Sequence, residues 1–170
     1  MDLQTALKTA LDFESNVFET YEAAARESTD PLARKVFVTL AKEEQDHIAY
    51  LRSRLDEWQR TGHVQPLELK TVVPSARRIK ATLDRLEAGI GAPALQTTEV
   101  EWLKKALAAE RETSGFYRKM VSELPPEGQN LFARFVEIEE GHLAIVQAQI
   151  DSVTGSGCWF DVQEFDLEAG

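Results

Sequence analysis

Two stretches of this chain repeat one four-residue pattern, each in the middle of an apolar helical stripe. Glu44-Gln45-Asp46-His47 and Glu139-Glu140-Gly141-His142 are both Glu-x-x-His, 95 residues apart. Upstream of each, at nearly the same distance, a Glu is followed seven residues later by a Tyr: Glu14 with Tyr21, and Glu110 with Tyr117. A helix turns by about 100° per residue, so positions three, four and seven apart share a face. Glu14 then falls on the stripe of Leu7, Ala10, Val17 and Tyr21, and Glu44 and His47 on that of Phe37, Leu40 and Leu51. Glu110 falls between Leu103, Leu107 and Tyr117, and Glu139 and His142 between Phe132, Phe135 and Val146. Any fold for this chain must accommodate acid in the middle of four apolar seams.

An unpaired carboxylate in an apolar interior costs on the order of several kcal/mol even after relaxation. Four together would protonate or prevent folding unless a countercharge is present. Two divalent cations supply it: four Glu charges balance them, and two neutral imidazoles complete the ligand set. Hard carboxylate oxygens with borderline imidazole nitrogens favour iron or manganese. Zinc can occupy such a site but usually prefers fewer, softer ligands. The alternative for charges at helical spacing is a solvated face. Glu112 and Glu140 are read that way, because they are turned by about 200° and about 100° from the ligand positions. Glu43 can face inward, but its counterpart in the second half is Ile138.

Apolar periodicity predicts long helices over about residues 3–26, 32–58, 98–124 and 128–153. Asp30-Pro31 marks a restart, with Asp30 as N-cap and Pro31 at the first helical position. The second segment buries Phe37, Leu40, Leu51, Leu55 and Trp58 and ends near Gly62. A crossover of roughly 35 residues follows, broken by Pro66, Pro74 and Pro93. Within it a short helix over 75–86 is capped by Ser75 and ended by Gly89 and Gly91. Pro125-Pro126 stops the third long helix, and Gly155-Ser156-Gly157 reads as a hinge. The stretch from Cys158-Trp159-Phe160 to Phe165 is too apolar for a free tail and should pack on the bundle or on a partner. The fold class expected is all-α: a crossover four-helix bundle over residues 1–153 with an aromatic tail over 154–170. Ala10 to Tyr21 aligns without gaps on Ala106 to Tyr117, and Phe37 to His47 on Phe132 to His142. Two instances make an internal duplication closing one bundle, since a solenoid needs about three or more repeats.

The 170 residues suffice for one domain with a real core. No run approaches the roughly 20 apolar residues of a membrane span. Met1-Asp2-Leu3-Gln4 lacks a basic stretch followed by an apolar one, and the single cysteine, Cys158, excludes an internal disulfide framework or a cysteine-based metal site, so a cytoplasmic protein is expected. The net charge of −10 argues against nucleic-acid binding, which needs a basic footprint. Part of that acidity is the Glu set itself.

On Glu14, Glu44, His47, Glu110, Glu139 and His142, with Tyr21 and Tyr117 beside them, the chain resembles the ferritin-like di-iron carboxylate proteins, and within them the rubrerythrin group, over about residues 3–153. The closing Trp159-Phe160-Asp161 with Glu164-Phe165 also looks like the tails of stand-alone members. The resemblance implies two iron ions and a di-iron oxidoreductase that reduces hydrogen peroxide or dioxygen with electrons from an unidentified donor. A homodimer is the implied assembly. Glu44 and Glu139, each from a Glu-x-x-His pair, are the candidates for shared carboxylates, with Glu14 and Glu110 terminal and one His per metal. Tyr21 and Tyr117 would hydrogen-bond a ligand carboxylate or supply an electron, or serve simply as core tyrosines. The chain departs from the group in two ways. Rubrerythrins similarly carry a second Glu one turn after the first on the third helix, and here that position is Thr113. The four-cysteine rubredoxin module is missing. Iron handling as a ferroxidase is therefore a second expectation, and a bundle whose metals only hold its core together is a third. Of the remaining residues, His63 and the Arg77, Arg78, Lys80 cluster read as surface. Cys158 reads as a small packed hydrophobe, and Trp58, Trp102 and Trp159 as core or interface anchors.

Overall fold

The computed structural model describes residues 1–65, 67–86 and 98–162, and among them it is helical with no strand. The helices are α1 (Leu3–Glu27), α2 (Pro31–Thr61), α3 (Ala76–Leu86), α4 (Thr98–Glu123) and α5 (Pro126–Ser156). Their ends follow local chemistry. Asp2 caps α1 by accepting from Thr5 N at 2.7 Å, and Asp30 caps α2 by accepting from Leu32 N and Ala33 N at 2.8 and 2.9 Å. Pro31 and Pro126 each open a helix, where a missing N–H costs nothing. Gly62 and Gly157 end α2 and α5 with φ near +74° and +71°, a left-handed turn that a side chain would strain.

Short links fold α1 on α2 and α4 on α5, and α1 also packs on α4 while α3 packs on α5. Contacts at the helix ends give their directions. Glu99, at the start of α4, accepts from Thr29 N at 2.9 Å just past the end of α1, so α1 and α4 run antiparallel. Val64, past the end of α2, donates its N–H to Glu127 at the start of α5, so these two are antiparallel as well. The core lies in two apolar clusters. One holds Val17, Tyr21, Phe37, Leu40, Leu103 and Ile145. The other holds Leu7, Leu51, Tyr117, Leu131, Phe132 and Phe135. Each fully buried large side chain contributes roughly 1.5–3 kcal/mol, so the two clusters together can carry a polar band between them.

The chain between α2 and α3 is pinned to the bundle rather than looped away. Tyr50 donates to Leu67 O at 3.1 Å, and Arg134 donates twice to Leu69 O at 3.1 Å. At the other end, Trp159 meets Phe37 edge-on at 5.8 Å, Gln149 Nε2 donates to Phe160 O at 2.7 Å, and Val162 is buried. The aromatic segment after α5 thus packs on its own bundle.

Several expectations need correction. Helix α5 continues to Ser156, so 155–157 is not a hinge. Thr154 and Ser156 hydroxyls bond back to Ile150 O and Ser152 O at 2.6 and 2.8 Å, and only Gly157 leaves the helical conformation. Cys158 is exposed, not packed. Leu55 and Trp58 are half-buried, because the last turns of α2 extend towards the edge of the bundle. Pro66, Gly89, Gly91, Pro93, Glu164 and Phe165 lie outside the described residues. Among the described residues no helix is long and apolar enough to cross a membrane.

Candidate metal centre

All six residues singled out by spacing, Glu14, Glu44, His47, Glu110, Glu139 and His142, converge in one place and are fully buried. They come from four helices: Glu14 from α1, Glu44 and His47 from α2, Glu110 from α4, and Glu139 and His142 from α5. His47 Nδ1 lies 3.2 Å from Glu14 Oε2, 3.2 Å from Glu44 Oε2 and 3.7 Å from Glu139 Oε1. His142 Nδ1 lies 2.9 Å from Glu44 Oε1 and 3.5 Å from Glu110 Oε1. The 2.9 Å approach is close but not aligned as a hydrogen bond, since neither atom has a bonding partner. The two imidazoles lie nearly parallel, 12° apart, with centroids 5.3 Å apart. Among the described residues three overlapping groups could hold a metal: Glu14, Glu44, His47 and Glu139; Glu44, Glu110 and His142; and Glu43, His47 and His142. Glu44 belongs to the first two, with Oε2 towards His47 and Oε1 towards His142.

The tyrosines cross between the hairpins. Tyr21 on α1 donates its hydroxyl to Glu110 Oε1 at 2.5 Å on α4, and Tyr117 on α4 donates to Glu14 Oε1 on α1. Each phenol therefore fixes one oxygen of the other repeat's Glu. Burial first, and then the neighbouring carboxylate, pushes both phenols well above their usual range, so they stay protonated donors.

Titration in the metal-free site is divided unevenly. Burial alone would raise Glu14, but the charge of His47 and hydrogen bonds from its neighbours lower it to about 2. Glu110 is likewise held below its usual value against burial, chiefly by His142. Glu44 rises to about 7 through burial and the nearby charge of Glu14. Glu139 goes well above the carboxylate range through burial and then Glu110. Burial opposes charging of His47, but Glu14 and Glu44 outweigh it and raise His47 to about 10. His142 is raised well above its usual value in the same way by Glu44 and Glu110. Protons thus neutralise a site that has no other countercharge.

Several site atoms make no hydrogen bond: Glu44 Oε1, Glu110 Oε2, both oxygens of Glu139, His47 Nε2 and both nitrogens of His142. An orphaned buried polar atom costs about 1–3 kcal/mol. Buried carboxylate oxygens and imidazole nitrogens left without hydrogen bonds are atoms that divalent cations, in displacing the protons, would satisfy.

Comparison with protein-family models, with curated proteins and with solved structures finds no match for this chain. The functional reading therefore rests on the site's own chemistry.

One residue in the site's surroundings was not legible as functional. Glu43 is buried, with Oε2 at 3.8 Å from His142 Nε2. It accepts from the Thr71 hydroxyl and, at 3.1 Å, from Val72 N. These bonds and its proximity to His142 keep it below its usual carboxylate value against burial. Its partners come from the chain between α2 and α3, which has no periodicity to announce them. Thr113 is buried and bonds Ala109 O at 3.0 Å, so it adds no acidic ligand. Glu112 and Glu140 are exposed, as are the imidazole of His63 and the side chains of Arg77 and Lys80.

Proposed function

We infer that this protein is a ferritin-like di-iron oxidoreductase, similar to the rubrerythrins, that reduces hydrogen peroxide or dioxygen. The observation carrying the reading is the convergence of four Glu and two His, fully buried, with carboxylate and imidazole atoms left without hydrogen bonds. The helix directions support the crossover arrangement of that superfamily. With α1 antiparallel to both α2 and α4, helices α2 and α4 run the same way, as a crossover arrangement requires.

Glu14 and His47 would hold one metal and Glu110 and His142 the other, with Glu44 shared, as its two oxygens facing the two groups support. Glu139 is the second candidate for a shared ligand. Two ferrous ions held together supply two electrons at once, the number that converts hydrogen peroxide and two protons into two waters. The protein's contribution is position and exclusion of water. Tyr21 and Tyr117 orient the terminal carboxylates through one oxygen each and leave the second oxygen free for a metal. The apolar clusters on either side keep the site dry.

Thr113 favours one rival. Without a further acid on α4, the site resembles a symmetric ferroxidase centre in ligand number, and iron handling is the second reading. Anaerobic loading with ferrous iron, then stopped-flow mixing with peroxide and separately with dioxygen, tests both. Oxidation of two irons per chain, much faster with peroxide, supports the peroxidase reading. Faster oxidation by dioxygen supports the ferroxidase reading. A loaded protein that neither oxidant nor azide perturbs would be a structural bundle and would refute both.

A further inference from the structure

Glu14, Glu44, His47, Glu110, Glu139 and His142 have no exposed surface, and neither have Tyr21 and Tyr117, which bond to two of them. Glu43 differs: its side chain keeps 6% of its surface exposed. It stands beside both imidazoles, with Oε2 3.8 Å from His142 Nε2, and neither imidazole Nε2 has a hydrogen-bond partner. The same Glu43 oxygen accepts from the Thr71 hydroxyl. Thr71 in turn lines a cavity of about 400 Å³ between residues 71–77 and α5. Pro74 and Ile138 line it as buried residues, and Arg77, Arg134, Glu137 and Glu140 line it as exposed ones. One side chain, Thr71, therefore touches both the cavity and Glu43.

A divalent cation cannot cross an apolar wall without a large desolvation penalty, so any route to the six buried residues must be polar. The two apolar clusters offer none. A second cavity, of about 440 Å³, lies between α4 and α5 over Leu107, Leu143 and Ala144. Among the described residues no hydrogen bond joins its lining to the six; its Arg118 reaches only Glu140, at 3.4 Å.

We propose that the cavity beside Thr71 is the entrance to the metal centre, and that Glu43 is the capture residue that first holds an incoming divalent cation. The inference rests on the reading of the six as a metal centre and adds how that centre is filled. Two acids and two arginines balance at the cavity lining, and Arg134 is already engaged by Glu137 at 2.9 Å and by Leu69 O. The attraction therefore comes from within, from a carboxylate whose hard oxygen suits a hydrated cation. From Glu43 the next donors inward are the two imidazoles, and beyond them the four inner carboxylates.

The test is anaerobic stopped-flow mixing with Co²⁺, followed by its visible absorbance, on wild type and Glu43→Gln. Gln removes the charge but keeps an acceptor for Val72 N–H. Both proteins should reach two Co²⁺ per chain, with Glu43→Gln loading roughly tenfold more slowly or worse. A second arm blocks the cavities in a Cys158→Ser background, which leaves one thiol as target. Arg77→Cys coupled to pyrene maleimide should load far more slowly than the same variant uncoupled. Gln147→Cys, in the other cavity, should load equally fast coupled or uncoupled. Unchanged loading in Glu43→Gln, or loss of a bound Co²⁺ with no change in rate, would overturn the capture role. Equal slowing by both labels, or by neither, would overturn the entrance. Failure of wild type to bind Co²⁺ at all would overturn the metal-centre reading itself.

Discussion

Loading this site with two divalent ions should release between three and four protons per chain at pH 7. The number comes from the six groups in turn. Glu14, at about 2, and Glu110, held low by His142, are already ionised and release none. His47, raised to about 10, and His142, also raised, are imidazolium, and each must lose a proton to present a lone pair. Glu139, pushed up by burial and by Glu110, releases one more. Glu44, at about 7, releases about half of one at pH 7 and nearly a whole one at pH 6. By linkage, the logarithm of the overall binding constant rises with pH by the number of protons released, so tenfold dilution of protons tightens binding by about three to four decades.

The assay is calorimetric titration with Zn²⁺ at fixed pH in two buffers of different ionisation enthalpy, whose apparent heats differ in proportion to the protons released. A count below two would refute the reasoning. It would mean that the metal-free site tolerates ionised carboxylates beside neutral imidazoles, and that the buried-charge argument for a metal site has lost its force. A count that falls by about one between pH 6 and pH 8 would point to Glu44 as the titrating group, and Glu44→Gln should abolish that change.

The metal-free protein should lose stability as pH rises from about 5 to 10. Glu44 and Glu139 have folded pKa values raised above their unfolded ones, so the folded state holds protons that the unfolded state has released. His47, raised to about 10, contributes stability that is present below about 6.5 and lost as pH passes 10. Glu44→Gln should therefore stabilise the metal-free protein above pH 7, by on the order of 3 kcal/mol, while impairing metal binding; chelated samples in thermal melts check this. Gly141→Ala must displace Pro74 O, so it should cost about 1–3 kcal/mol in urea unfolding. Trp159→Ala should cost about 2 kcal/mol by loss of its contact with Phe37, with metal stoichiometry unchanged, as unfolding and metal analysis would show.

The candidate ligand residues were legible because a helix converts spacing into direction. Glu14 lies on the same face as Leu7 and Tyr21 whatever the rest of the chain does, and the gap-free alignment of the halves repeats that statement independently. Helix starts at Asp30-Pro31 and the stop at Gly62 were legible for the same local reason. Three things were not. The end of α5 depends on Thr154 and Ser156 bonding back to the helix, which competes with the tendency of Gly155 to break it. The exchange of Tyr21 and Tyr117 between hairpins depends on which helices are neighbours, and spacing within one helix does not carry that information. Glu43 takes its partners from an aperiodic segment 28 and 29 residues away, so only the packed structure reveals them.

Those unread features bear on how a duplicated bundle can act as one site. Had Tyr21 bonded a Glu of its own hairpin, each half would have been an independent unit, able to adjust its carboxylate alone. With Tyr21 on Glu110 and Tyr117 on Glu14, a shift of α1 against α4 moves both terminal carboxylates together. Glu44, with one oxygen towards each imidazole, adds a second link. Against this symmetry stands the chain between α2 and α3, a single segment in a twofold-repeated bundle. It can cover only one half, and Gly141 is the opening that admits it. The segment it admits carries Thr71 and Val72, which hold Glu43 beside both imidazoles, nearest to His142 at 3.8 Å. The two halves repeat their buried Glu and His residues, but the surroundings of those residues do not repeat, because one connecting segment cannot be related to itself by the duplication.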